Sequence, residues 1–199
     1  MKLRQCLQVG SVLLVVGCGP DKKVERVSES SVTDVGDKWN DTDSRLVATE
    51  MINDCLTRPW LGKTTKKKGK EPVVIVQTIR NKTSEHIATG TFTKDLERAL
   101  INDGRVEFVA SKEERNELRS ERGDQADNSS DDSMKGPGKE VGADYALQGT
   151  IQSIVQQDGG TKVKFYQVNL ELISIEDNKK AWIGEKKIKK IINQAGASF

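Results

Sequence analysis

The sequence has 199 residues, of which 31% are charged and 35% hydrophobic, and its formal net charge is +2. Lys2 and Arg4 account for that excess, because the rest of the chain carries 30 of the 32 basic residues against 30 acidic ones. A balanced charge excludes nucleic-acid binding that depends on a surplus of cations. The length suits one domain of common size.

The first 17 residues predict a signal peptide. Two basic residues precede an apolar run of roughly a dozen residues, which is shorter than the about 20 that a membrane-spanning helix needs. The run ends in Val-Val-Gly-Cys at residues 15–18, which resembles the bacterial lipobox. The resemblance implies cleavage between Gly17 and Cys18 and acylation of Cys18, for example with palmitate. The alternative is a chance cysteine behind an ordinary secretory signal.

The residue after Cys18 is Gly19 and not aspartate, which resembles the pattern of lipoproteins sorted to the outer membrane. Two or more acyl chains on Cys18 give stable attachment to a bilayer. Residues 19–38 are polar and lack aromatic side chains, so together with Cys18 (18–38) they predict a flexible, disordered tether. We therefore expect a periplasmic domain that begins at Trp39 and extends to residue 193, followed by a short tail (194–199).

The first part of that domain predicts a helix and a basic loop. Asn40 and Asp41 offer an N-cap, and Pro59 is expected to end the helix. Apolar side chains at helical spacing form its buried face: Val47, Ala48, Met51, Ile52, Cys55 and Leu56. Trp60 and Leu61 are expected to fold back onto the core. The segment 63–71 is interpreted as a solvated basic loop, with contact to anionic lipid or glycan as the alternative.

The middle of the chain predicts a buried strand that starts at Pro72, a loop over 80–90 and a second helix capped by Thr91. A glycine at position 104 is expected to end that helix, and residues 105–110 form a short strand. Ser111 and Glu114 form a capping box that opens a surface helix. Residues 120–140 are rich in Gly, Ser, Asp and Asn and predict a mobile insertion, because a calcium loop needs a spacing that is absent here.

The last third predicts three strands joined by two tight turns, with turn residues at Asp158-Gly159-Gly160 and Asp177-Asn178. The element order favours an α+β fold: a small mixed sheet of about four to five strands that ends in an antiparallel meander. We expect the helices to pack mainly on one face of this sheet. The opposite face of the meander is expected to meet solvent.

No catalytic or metal-binding constellation stands out. His86 is a lone loop histidine, and Cys55 lies on an apolar helical face, as a small core residue does. No disulfide within the domain is expected, since Cys6 leaves with the signal peptide and Cys18 goes to lipid. We predict a binding protein and not an enzyme, without a cofactor, a metal or a small-molecule substrate.

Several segments in the same order resemble the LpoB family, outer-membrane lipoproteins that activate bifunctional penicillin-binding proteins. The matching segments are KWND, VVIVQTIRNKTSEHI, FTKDLERALINDGRVEFVAS, VGADYALQGTI and AWIGEKKIKK. The resemblance implies a sandwich like the N-terminal domain of TolB and a role in peptidoglycan synthesis and cell shape. It also implies a penicillin-binding protein as partner and a location on the periplasmic side of the outer membrane.

Two surfaces are candidates for partner binding: the polar loop 81–86 with the turn near residue 158, and the exposed face of the meander. The selected residues are Asn81, Lys82, Thr83, Glu85, His86 and Asp158. A second functional hypothesis is a structural or adaptor subunit of an outer-membrane secretion or assembly complex, because the fold also resembles the curli-secretion lipoprotein.

Overall fold

Residues 24–28, 30–34, 36–136 and 138–193 are described by a computed structural model. The predicted signal peptide, Cys18 and the tail 194–199 lie outside the described residues. The chain divides into two compact units, Met1–Ser31 and Val32–Phe199. In the first unit, a turn is closed by a hydrogen bond from the Ser31 N–H to the Ser28 carbonyl oxygen. All helices and strands below belong to the second unit.

Helix α1 (Asp41–Thr57) starts at the predicted cap. The Asn40 side chain accepts a hydrogen bond from the Asp43 N–H at 2.9 Å, and the Asp43 carboxylate accepts one from the Asn40 N–H at 3.1 Å. This reciprocal pair satisfies donors that an open helix end leaves free. The whole predicted apolar stripe from Val47 to Leu56 is buried.

Helix α2 (Pro59–Lys68) corrects the predicted basic loop. Pro59 occupies the first turn of a new helix, where a missing N–H costs nothing. The lysines at 66–68 are good helix formers and lie at the negative end of the helix dipole. Gly69 ends the helix in the left-handed conformation, with φ of 69°. Trp60 and Leu61 are buried, as expected.

Helices α3 (Thr89–Asp103) and α4 (Lys112–Asn128) differ from the prediction at one end each. Helix α3 begins at Thr89, so Thr91 does not cap it, and Gly104 ends it in the left-handed region as predicted. Helix α4 has the predicted capping box of Ser111 and Glu114. It continues through residues 120–128, which the sequence pattern had placed in the mobile insertion. The mobility of the segment beyond Asn128 stays a prediction.

The five strands form one mixed sheet. They are β1 (Val73–Asn81), β2 (Glu107–Phe108), β3 (Tyr145–Asp158), β4 (Thr161–Ser174) and β5 (Lys180–Asn193), in the spatial order β2-β1-β3-β4-β5. Strand β1 pairs in parallel with β2 and β3, and β3, β4 and β5 form an antiparallel meander. The predicted α+β class with a terminal meander is confirmed.

The core lies between the sheet and helices α1 and α3. Alternate side chains of β4 enter it, and all four are buried: Tyr166, Val168, Leu170 and Leu172. The residues between them face the other side, as the period-2 pattern predicts. No helix in the described part of the chain is long and apolar enough to span a membrane.

The ordered domain begins before the predicted boundary at Trp39. We call residues 32–34 and 36–39 the N-terminal segment. Its Asp34 and Asp37 make ion pairs with lysines of β4 and β5, so this end of the predicted tether lies on the sheet. Ionic contacts with distant residues hold it there, and local sequence pattern does not reveal them.

Candidate partner-binding surface

The loop that follows β1 is shaped by its own side chains. The Asn81 Oδ1 atom accepts hydrogen bonds from the Thr83 N–H at 2.9 Å and the Thr83 hydroxyl at 2.8 Å. The Asn81 Nδ2 atom donates to the Glu85 carbonyl oxygen at 2.7 Å. Asn81 and Thr83 therefore hold the loop in one conformation. Lys82 and His86 remain exposed on it.

Glu85 points inward from this loop. Its carboxylate accepts hydrogen bonds from the Lys164 ammonium and from the Tyr166 hydroxyl, the latter at 2.8 Å. Lys164 is 4% exposed and Tyr166 is 0% exposed, so the carboxylate neutralises a lysine that the fold has buried. Burial opposes ionisation of Glu85, but the hydrogen bonds from Lys164 and Tyr166 outweigh it and the pKa is lowered.

Asp37 completes this buried cluster from the N-terminal segment. Its carboxylate lies 2.6 Å from the Lys162 ammonium and 2.9 Å from that of Lys164. Hydrogen bonds from Lys162 and then Lys164 hold the pKa of Asp37 far below its usual range. Burial, followed by the hydrogen bond to Glu85, raises the pKa of Tyr166. Two carboxylates and two lysines balance, which is the condition for leaving charges inside a fold.

A second ionic contact fixes the start of the same segment. The Lys190 ammonium lies 2.7 Å from an Asp43 oxygen and 3.0 Å from an Asp34 oxygen. It also donates to the Lys38 carbonyl oxygen at 3.0 Å. Burial disfavours the charged lysine, but Asp43 and then Asp34 outweigh it, so the Lys190 pKa is raised. These contacts attach the N-terminal segment to the last strand.

The predicted loop starts far from the predicted turn and extends toward it along the sheet. Asn81 pairs with Ile151 on β3, and Asp158 lies seven residues farther along that strand. At about 3.3 Å per residue this separation is about 23 Å. Asp158 is exposed at the turn between β3 and β4. Glu85, farther along the loop than Asn81, contacts Lys164, which lies opposite Val155, three residues before Asp158.

The sheet face opposite the helices carries a continuous polar area beside the loop. We call it the central polar face. Five of its polar residues line a shallow depression: Arg80, Gln148, Thr150, Asn169 and Glu171. The sixth, Glu185 on β5, lies opposite Asn169. Thr150, Asn169 and Glu185 lie opposite one another on three adjacent strands. The arrangement offers amides and charges of both signs on a rigid support.

Cys55 and His86, the cysteine and the histidine within the described residues, lie in opposite environments. Cys55 is 1% exposed, and burial raises the pKa of its thiol to about 12, so it stays protonated. His86 is exposed on the loop. Within the described residues, no group of three or more His, Cys, Asp or Glu side chains could hold a metal ion.

The comparison with protein-family models identifies one family. The family model described as peptidoglycan-synthase activator LpoB matches residues 43–188. No curated protein sequence matches the chain.

Solved structures of related folds share little sequence with this chain. The C-terminal domain of LpoB from Escherichia coli is 18% identical with a TM-score of 0.46, and the match covers 74% of this chain and 99% of that one. The NMR structure of E. coli LpoB is 14% identical with a TM-score of 0.43, covering 98% and 90%. Lipoprotein GNA1162 from Neisseria meningitidis is 16% identical with a TM-score of 0.38, covering 63% and 88%.

Proposed function

Because the chain belongs to the LpoB family of peptidoglycan-synthase activators, we propose that it binds a bifunctional penicillin-binding protein and shifts it toward its active conformation. In this proposal Cys18 is lipidated after cleavage behind Gly17, and the domain faces the periplasm from the outer membrane. The family match over residues 43–188 is the observation that carries the proposal. The protein then acts by binding and performs no chemistry of its own.

The central polar face and the adjoining loop are the proposed contact with the synthase. Helices α1 and α3 pack on the opposite side of the sheet, so this face presents half-buried polar side chains to solvent. Polar groups on a rigid sheet suit a reversible protein interface. Lys82 and His86 extend the contact from the loop, while Asn81, Thr83 and Glu85 hold the loop in shape. Asp158 is proposed as a separate contact.

The test measures glycan-strand polymerisation by bifunctional penicillin-binding proteins of the same organism, with and without the purified protein in detergent. We expect a clear rate increase with at least one synthase. Thr150→Arg places a large charge in the middle of the central polar face and should abolish the increase. Thr57→Arg makes the same change on the exposed end of α1 and should leave it intact.

An equal loss with both variants would indicate a folding defect, which thermal unfolding of each variant detects. No stimulation of any synthase by the folded protein would contradict the proposal and favour the adaptor hypothesis. Lipidation is tested separately, because Cys18→Ser should abolish metabolic labelling by fatty acid. Undiminished labelling of that variant would contradict the lipobox interpretation.

A further inference from the structure

The meander continues well beyond the end of β1. The last pair between β1 and β3 joins Asn81 to Ile151, and the three later strands proceed together without that neighbour. We call this part the distal sheet; it consists of residues 152–158, 161–167 and 187–193. Its inner face lies on the helix side and carries the ion pairs with the N-terminal segment. Its outer face continues the central polar face along the strands.

The outer face of the distal sheet carries an apolar patch. Ile154 lies opposite Phe165 on the next strand, and Val163 lies opposite Ile191. Ile154 is 60% exposed and Ile191 is 61% exposed, while Val163 and Phe165 are half-buried. A contiguous group of exposed apolar side chains is typical of a surface that binds another protein or a membrane.

Two lysines, Lys187 and Lys189, lie beside this patch. Lys189 lies opposite Phe165, and no carboxylate of the described residues forms an ion pair with it. Lys187 lies on the same face and pairs with Glu185 at 2.6 Å. The other neighbours at this level of the face are glutamines 152, 156 and 167. The acidic residue on this face of the distal sheet is Asp158, at the turn between β3 and β4.

The chain enters the domain at this same end. Asp34 and Asp37 attach the N-terminal segment to Lys190 and Lys162 of the distal sheet. Cys18 precedes Asp34 by 16 residues. A chain of that length reaches at most about 55 Å when fully extended. A lipid on Cys18 therefore keeps the distal sheet close to the membrane that holds it.

We propose that the outer patch of the distal sheet docks on the surface of the membrane that carries the lipid anchor. This inference rests on the proposed lipidation of Cys18. Ile154, Phe165 and Ile191 enter the headgroup boundary, where apolar side chains leave water, and Lys187 and Lys189 meet anionic phospholipid headgroups. The central polar face begins at Thr150, about 13 Å along β3 from Ile154. A synthase bound there is consequently engaged close to the membrane surface.

The test uses the full lipidated protein in vesicles of phosphatidylethanolamine and phosphatidylglycerol. A solvent-sensitive fluorophore is attached at Gln156→Cys on the outer face, and in a control protein at Ser120→Cys on α4. The native Cys55 is buried and Cys18 carries lipid, so the label reaches the introduced cysteine. Lipids with a quencher in the headgroup region should quench the label at 156 and leave the label at 120 bright.

Two variants separate docking from mere proximity. Each lysine near an anionic surface contributes about 1 kcal/mol, so Lys189→Glu should lower the ratio of docked to undocked protein by at least about fivefold. Lys112→Glu makes the same charge change on α4 and should leave the ratio unchanged. Ile191→Ser should also reduce quenching, and its exposed position makes a folding defect unexpected.

Three other outcomes overturn the inference, each in a different way. If mass spectrometry shows that the protein carries the lipid and quenching is equally weak at 156 and 120, the docking proposal is wrong and the lipid anchor stands. If the mass shows no lipid, Cys18 is not acylated, and both the docking proposal and the anchoring part of the proposed function are wrong. If the label at 156 is shielded without vesicles, and more so at higher protein concentration, the patch binds a second copy of the chain instead.

Discussion

The two faces of the distal sheet use lysine in opposite ways. On the inner face, Lys164 and Lys190 are nearly buried and each contacts two carboxylates. On the outer face, Lys189 extends into solvent beside exposed isoleucines. Lys189 and Lys190 are adjacent on β5, and they face opposite sides of the sheet because successive side chains of a strand alternate. The inner lysines therefore stabilise the fold, whereas the outer ones remain available for binding.

The largest expected change in stability comes from replacing Lys164, the most deeply buried of these lysines. Lys164→Met leaves Glu85 and Asp37 without a shared cation, and we expect the free energy of unfolding to fall by about 3 kcal/mol. Lys189→Met, the matched change on the outer face, should alter it by less than about 0.5 kcal/mol. Urea unfolding of both variants measures the difference. Similar values for the two would show that the inner ion pairs contribute no stability.

Loss of one carboxylate should have a smaller and more local effect. Asp37→Asn removes the partner of Lys162 and one of the two partners of Lys164, and we expect a loss of about 1–2 kcal/mol. The N-terminal segment should detach first, so amide hydrogen exchange at residues 36–39 should accelerate more than exchange in α1. Asp127→Asn on α4 is the control. An unchanged exchange rate in the segment would mean that other contacts hold it.

The smallest expected effect concerns acid stability. The folded state lowers the pKa of Glu85, so the unfolded state binds more protons and stability is lost as the pH falls through the folded pKa. The decline should begin below about pH 5, near the ordinary pKa of glutamate. Glu85→Gln should give a shallower decline in urea midpoint than the unchanged protein between pH 5 and pH 2.5. Parallel curves would contradict a lowered pKa at this residue.

The parts of the fold that follow from local pattern were predictable. Apolar spacing from Val47 to Leu56 defined α1, the Ser111–Glu114 box defined the start of α4, and alternation around Val168 and Leu170 assigned the two faces of the meander. Each of these signals lies within one element. The part of α2 after Leu61 and the second half of α4 were missed because their residues are polar and none of them is buried, so neither stretch shows an amphipathic period.

The buried ionic cluster was missed for a different reason. Glu85 was selected as a surface contact, since a polar loop residue and an inward carboxylate look alike in sequence. A usable signal was present on β4: Lys164 shares a face with Tyr166 and Val168, so a lysine on the core side requires a carboxylate. The identity of that carboxylate, 79 residues away, depends on tertiary structure.

The contact between Asp34 and Lys190 joins residues that are 156 positions apart, near opposite ends of the ordered domain. A chain grows from its N-terminus, so the N-terminal segment is complete long before the strand that holds it exists. During synthesis, Asp34 and Asp37 have no lysines to pair with until β4 and β5 have been made. A product that stops before β4 therefore leaves the N-terminal segment without its lysine partners, where a protease can reach it.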